Sequence, residues 1–561
     1  MFKQLFLLVV VLGTIASCSS SNTQQASTDS EIPYIEREFR GAWVATVANI
    51  NWPSRPGMPV DSQKIEALAI LDSMKSMNFN AVIFQARPQA DAFYKSDLEP
   101  WSYYLTGIQG KAPEPFYDPL EYWIEESHKR SMDLHVWVNP YRAHHKDGGP
   151  ISDSSMVKKM AGVVHELSSG YYWFEPTHPL TQDHSFDVIM DIVRRYNVDG
   201  IHMDDYFYPY PSYNNDKDFP DEASYYAYQK DGGKLSKGDW RRDAVNKFIK
   251  RLYTSIKKEK PYVQFGISPF GIWRPGHPKS VKGFDQYEKL YADAKLWLNE
   301  GWVDYFAPQL YWNINKIPQS FPVLLGWWQE QNLKQHHLWP GISLSGRDSS
   351  NITDETFNQI MITRGMLPKS PGLIHWSIAP HLKFPVFTND LRNGPYKSQA
   401  LIPASPWIDN KAPKPPIIKV MNDSDSLKIN WTHPEAKNLS KVVVYKKYES
   451  GWVYEIFSAD SPIITLATQK EKKVVTPKVV QVEQAKVATD STLTINPMVQ
   501  ADSLQQITVE NTNTTDSLGM PNSIEIKKIE QLPAPKEFET ILKIRIHVVD
   551  KAGNISAAAK K

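Results

Sequence analysis

From about residue 38 to 400, short apolar runs alternate with amphipathic stretches. Eight runs read as strands: "RGAWVATV", "NAVIFQAR", "LHVWVNPYR", "DGIHMDD", "QFGISPF", "DYFAPQLYW", "WPGISLSG" and "GLIHWSIAP". Between them apolar positions recur three and four residues apart, the period of one helix face. Phe186, Ile189, Met190 and Val193 form one such face; Val245, Phe248, Ile249, Leu252 and Ile256 form another. "DPLEYWIEESHKR" adds a start signal, with Asp118 as N-cap, Pro119 at the first helical position and Glu121 closing a capping box. Eight strand–helix repeats predict an α/β fold, a (β/α)8 TIM-like barrel over residues 38–402. A doubly wound sheet is the alternative, but no Gly-rich phosphate loop follows the first strand.

The pattern changes after Pro403. Residues 403–416, with "KAPKPP", read as a linker, and 417–561 show strand-like alternation. Leu427, Ile429 and Trp431 line one face, and Leu542, Ile544, Ile546 and Val548 another, which predicts a fibronectin type III-like β-sandwich. Residues 466–537 contain no aromatic side chain and are rich in Thr, Gln, Lys, Val and Asn, the composition of a disordered, low-complexity insertion. At the other end, Lys3 and the apolar stretch Leu5–Leu12 form a signal peptide over 1–17, too short to span a bilayer. Ile15-Ala16-Ser17-Cys18 resembles a lipobox, so Cys18 is the expected lipidation site and 18–37 a polar tether. Cys18 is the single Cys of the chain, which leaves no disulfide in an exported protein. Ser19, Ser20 and Ser21 follow it without an acidic run, so the expected location is the bacterial envelope, on the periplasmic face of the outer membrane.

Composition narrows the partners. The 63 basic and 62 acidic residues are interspersed for a net charge of +1, which argues against nucleic acid. Aromatics make up 12%, and of 18 Trp all but Trp431 and Trp452 precede residue 410. That wealth suits a core and also a glycan surface, because flat rings stack on sugars. No motif calls for a cofactor or a metal.

In a barrel of this kind the active site lies where the strands end. The second strand ends with Gln85 and Arg87, the third with Asn139, Tyr141 and Arg142, the sixth with Gln309, Tyr311 and Trp312, the eighth with Trp376. The fourth puts His202 and Asp204 on one face by alternation, with Asp205 and Tyr206 opening the loop. Two adjacent carboxylates at this end cost stability unless they are paired or used, so Asp204 and Asp205 are the candidate catalytic pair and the others the candidate substrate contacts. Asp91, Glu175, Asp221, Glu222 and Asp348 are nearby loop carboxylates that could add to them.

"EFRGAWVATVANINWP", "FQARPQADAFY", "WSYYLTGIQG", "HVWVNPYR", "DGIHMDDYFYPYP", "ISPFGIWR" and "GWVDYFAPQLYW" resemble the blocks of the glycosyl-hydrolase-like family ten barrel proteins, many of them bacterial lipoproteins. The resemblance implies a glycoside hydrolase acting on peptidoglycan glycan strands that lack stem peptides. It leaves the mechanism open. "DGIHMDD" is similar to the fourth-strand motif of the amylase clan, with Asp204 in the nucleophile position, but the fifth strand lacks that clan's Glu. It also resembles the chitinase motif, where Tyr206 stands in place of the acid. In one scheme Asp205 is the acid and Asp204 orients a 2-acetamido group; in the other Asp204 is the nucleophile and the acid comes from a loop. Two other function classes remain: a non-catalytic glycan-binding lipoprotein, and a metal-dependent deacetylase using His202, Asp204, His144 and His145. Against the last, neither a His-x-His ending the first strand nor an H-E-x-x-H occurs.

Overall fold

The computed structural model describes residues 32–346, 351–423, 425–471 and 538–559. The expectations for the signal peptide, for Cys18 and most of its tether, for Asp348 and for residues 472–537 of the insertion lie outside the described residues.

Nine parallel strands make the central sheet: β1 (Phe39–Val44), β2 (Ala81–Arg87), β3 (Asp133–Val138), β4 (Gly200–Met203), β5 (Gln264–Ile267), β6 (Tyr305–Phe306), β7 (His337–Leu338), β8 (Gly341–Ser343) and β9 (Gly372–Trp376). Their order is β7-β6-β5-β4-β3-β2-β1-β9-β8, a curled α/β sheet of TIM-barrel type. The seventh predicted run, residues 339–346, contains β8, and β7 is a separate short strand just before it. Pro340 between them lacks the N–H that would continue the ladder, and Trp339 turns inward to stack on Phe39 at 4.0 Å. The two outermost strands of the sheet order are consecutive in the chain, two residues apart.

Helices separate the strands, with Val60–Ser76 after β1, Pro119–Lys129 after β2, Pro179–Arg195 after β3 and Lys237–Glu259 after β4. Asp118 caps its helix as expected, its side chain accepting from the Glu121 N–H. Val245, Phe248, Ile249, Leu252 and Ile256 are all buried on one face, against the outer side of the sheet. In the other helix Ile189, Met190 and Val193 are buried, whereas Phe186 is only partly covered, under the Arg251 guanidinium. On the inner side lies a second cluster: Phe39, Trp43, Ala45, Ala81, Ile83, Trp137, Tyr305, Ala307, Trp339 and Ile374.

Two three-stranded sheets follow the linker: Ile417–Asn422, Ser426–Thr432 and Ile463–Ala467 in one; Gly451–Ser458, Leu439–Tyr448 and Lys543–Asp550 in the other. Ile429 and Trp431 are buried in the first, Ile546 and Val548 in the second; Leu542 precedes its strand and is exposed. This part packs on the N-terminal end of the central strands, where Lys441 Nζ meets Asp133 at the start of β3 at 2.6 Å. The Tyr454 hydroxyl donates to the Gln399 carbonyl nearby. It thus lies at the opposite end from Asp204 and Asp205. Residues 466–471, grouped with the insertion by composition, are mostly strand: Ile463–Ala467, and Gln469–Glu471. The latter pairs with Phe538–Thr540.

Candidate active site

The floor of the site is a chain of buried hydrogen bonds inside the sheet. Trp43 Nε1–H donates to His202 Nε2 at 3.1 Å. That leaves His202 Nδ1 to carry the proton and donate to the Tyr305 hydroxyl at 2.9 Å, which in turn donates to His135 Nδ1 at 3.0 Å. Burial pushes His202 far down, so it stays neutral. His202 was a candidate substrate contact; it is instead a fully buried strut beneath the site.

Above this floor stand the two carboxyls. Asp204 Oδ2 accepts from Trp137 Nε1 at 2.9 Å and Oδ1 from Asn139 Nδ2 at 3.2 Å. Burial lifts its pKa to about 7; the Arg142 charge pulls the other way and Asp205 adds to the rise. Asp205 is also raised by burial, opposed by the Tyr210 hydroxyl and by Gln309. Tyr210 Oη donates to Asp205 Oδ2. The two environments differ in kind. Trp137 and the Asn139 amide N–H can only donate, so they favour an anion, whereas the Tyr210 hydroxyl can donate or accept and serves either protonation state.

Around the pair stand aromatic rings. The Arg142 guanidinium lies 4.5 Å over the Tyr206 ring, and its Nη1 donates to the Pro88 carbonyl. From there rings run in sequence: Tyr206 to Tyr210 at 5.8 Å, Tyr210 to Phe284 at 5.2 Å, Phe284 to Phe270 at 5.4 Å, Phe270 to Trp312 at 5.6 Å. Trp376 stands edge-on to Trp43 and Trp137 and keeps part of its surface open. Tyr206, Gln309, Tyr311 and Trp312 are likewise partly exposed.

Other expected contacts sit beneath the surface. Gln85 accepts from the Thr46 and Val47 N–H groups and holds the turn after β1. Arg87 is buried on Glu99, whose pKa burial would raise but the Arg87 charge holds down at about 2. Tyr141 points outward against Phe248. These three position the strand ends and offer no open surface. Tyr208, another ring just past β4, is buried with its hydroxyl on Asp221. The loop carboxylates are taken as well: Glu175 by His165, Asp221 by Arg241, Glu222 by Lys237, while Asp91 is wholly buried and accepts from Gln89. Trp137 and Tyr210 were not foreseen. Strand alternation from Asn139 points to Trp137, but nothing local marks Tyr210, which returns to Asp205 through a loop. Among the described residues no group of three or more His, Cys, Asp or Glu is placed to hold a metal ion.

Known proteins resemble this chain. The model of the family described as Glycosyl hydrolase-like 10 matches residues 38–358, a span that includes both Asp residues. Glycosyl hydrolase YngK of Bacillus subtilis (strain 168) is 40% identical over 433 residues, covering 74% of this chain and 83% of that protein. Glycosyl hydrolase DigH of Escherichia coli (strain K12) is 33% identical over 354 residues, covering 58% of this chain and 78% of that protein. Among solved structures, the PgaB (BpsB) glycoside hydrolase domain from Bordetella bronchiseptica aligns with 64% of this chain and 98% of its own, at 11% identity and a TM-score of 0.41. With more than half its length matched by the family model, the chain belongs to the glycosyl hydrolase-like 10 family.

Proposed function

We propose that this protein is a glycoside hydrolase of the bacterial cell envelope that cleaves O-glycosyl bonds in N-acetylated peptidoglycan glycan strands lacking stem peptides. The observation that carries the reading is the pair Asp204 and Asp205: adjacent, buried, with raised pKa values, at the C-terminal end of a TIM-like sheet. A carboxyl that keeps its proton near neutral pH is what glycosidic oxygen protonation requires. The partly exposed rings of Tyr206, Tyr311, Trp312 and Trp376 supply faces for sugars and Gln309 a polar edge, while the buried Asn139 and Arg142 hold Asp204 and the Tyr206 ring from beneath. Family membership and two relatives named glycosyl hydrolases support hydrolysis.

The curled sheet is taken here as a closed (β/α)8 barrel, because β7 and β8 read as one strand interrupted at Trp339-Pro340. The two sheets after the linker are taken as a fibronectin type III-like spacer, and Cys18 as the lipid anchor that holds the enzyme on the periplasmic side of the outer membrane.

The test is a zymogram on purified glycan strands, with and without stem peptides. Clearing of the bare strands by the wild type and not by Asp205→Asn is expected. Retained binding without clearing would instead make this a glycan-binding envelope protein.

A further inference from the structure

Building on that reading, we propose that the site works by substrate assistance on a 2-acetamido sugar: Asp204 holds the acetamido N–H, Tyr311 the acetamido carbonyl oxygen, and Asp205 carries the proton. Three observations lead there.

The first is the supply of carboxyls. A mechanism with a protein nucleophile and a separate loop acid needs a second element to bring that acid. Here Glu99, Asp221 and Glu222 are ion-paired elsewhere, Glu175 is hydrogen-bonded to His165, and Asp91 is closed off. Of the candidates among the described residues, two consecutive residues of one strand end remain, and the sugar's own carbonyl oxygen removes the need for a protein nucleophile.

The second is what surrounds each carboxyl. Both oxygens of Asp204 already accept from donor-only groups, which suits an anion that takes one more N–H and not a nucleophile that must free a lone pair for carbon. The Tyr206 N–H also donates to Oδ1, so a substrate N–H adds a fourth donor and lowers the Asp204 pKa in the complex. Asp205 faces a hydroxyl that can turn from donor to acceptor, so it can gain and lose a proton without orphaning its partner.

The third is Tyr311. It continues the inward-facing series Tyr305, Ala307 and Gln309 by alternation. Gly341 leaves it room: a Cβ there would stand 3.3 Å from the Tyr311 ring and 2.7 Å from Trp43. Its hydroxyl has no hydrogen-bond partner among the described residues, and Asp205 and Asp204 are the charges that act on it. A partly exposed phenol O–H beside the carboxyl pair has one donor to give, and an acetamido carbonyl has a lone pair to receive it.

In the first step the carbonyl oxygen bonds to the anomeric carbon as the glycosidic C–O bond breaks. The bonding pair leaves with the glycosidic oxygen, which takes the Asp205 proton. The result is a bicyclic oxazolinium with its N–H on Asp204. Water then attacks the same carbon from the leaving group's side and gives a proton to the Asp205 carboxylate. The carbonyl oxygen departs with its pair, the amide is restored, and the anomeric configuration is retained.

The experiment follows the first-formed anomer by proton NMR as the full-length protein cleaves an N-acetylated glycan oligomer, and measures inhibition by a thiazoline analogue of the bicycle. Retention with competitive inhibition is expected. On a substrate with an activated aryl leaving group, which needs no protonation, Asp205→Asn should recover most of its rate of aryl release in the first step and Asp204→Asn should not. Tyr311→Phe should lower kcat about a hundredfold, the scale of one positioned donor, with KM nearly unchanged. Inversion, or no effect of the thiazoline, overturns the mechanism while hydrolysis stands, and needs no variant to fold. Wild-type kcat in a folded Tyr311→Phe removes Tyr311 from it. No turnover on any glycan overturns the parent reading and this one together.

Discussion

Replacing Asp204 with Asn separates a functional carboxyl from a structural one, because the two cases have opposite effects on stability. The pKa rise from 3.8 to about 7 corresponds to roughly 4 kcal/mol against the buried anion, at about 1.4 kcal/mol per pH unit. Since the folded pKa lies above the unfolded one, this penalty is absent below about pH 4, grows as the pH rises and is complete above about pH 7. Asn carries none of it at any pH. Asn has one carbonyl oxygen to serve both Trp137 and Asn139, so one donor loses its acceptor, at about 1–3 kcal/mol. The variant should therefore be more stable than wild type by roughly 1–3 kcal/mol at pH 8, and less stable by about the same amount near pH 4. Differential scanning calorimetry across that range should show two Tm curves that cross. Turnover on glycan strands should fall at least about a hundredfold, the scale of a positioned acid–base group. A variant less stable than wild type by an equal margin at both ends would refute the burial argument, and near-wild-type turnover would refute the catalytic assignment.

Trp312→Ala should weaken glycan binding by about 1–2 kcal/mol with little loss of Tm; unchanged affinity by titration calorimetry would make it a packing residue. Trp376→Ala should do the same and also lower Tm, because that ring packs on Trp43 and Trp137. Arg87→Ala should cost about 3–5 kcal/mol in urea denaturation by leaving the buried Glu99 with His184 in place of its bidentate partner; a loss under 1 kcal/mol would mean the pair is well solvated. Cys18→Ala should release the protein from the membrane fraction or leave it as precursor, and membrane retention after normal processing would exclude the lipid anchor.

What the sequence determined by itself was local and periodic. Alternation and helical spacing are written residue by residue, so the strand–helix repeats, the Asp118 cap and the buried face from Val245 to Ile256 were legible. So was the position of Asp204 and Asp205 at a strand end, since only chain order and a period of two are needed. Which polar side chain faces substrate was decided by tertiary structure. Arg87 and Asn139 both sit at strand ends, yet Arg87 is neutralised by Glu99 from a loop twelve residues on, and Asn139 is turned onto Asp204. His202 shares the face of Asp204 but is locked between Trp43 and Tyr305, from two other strands. The break at Trp339-Pro340 likewise followed from a ring finding its place against Phe39, some 300 residues earlier in the chain. Hydrogen-bond partners and ion pairs are chosen by proximity in space among groups far apart in sequence. A burial-driven pKa such as that of Asp204 exists only once the surrounding strands exclude water.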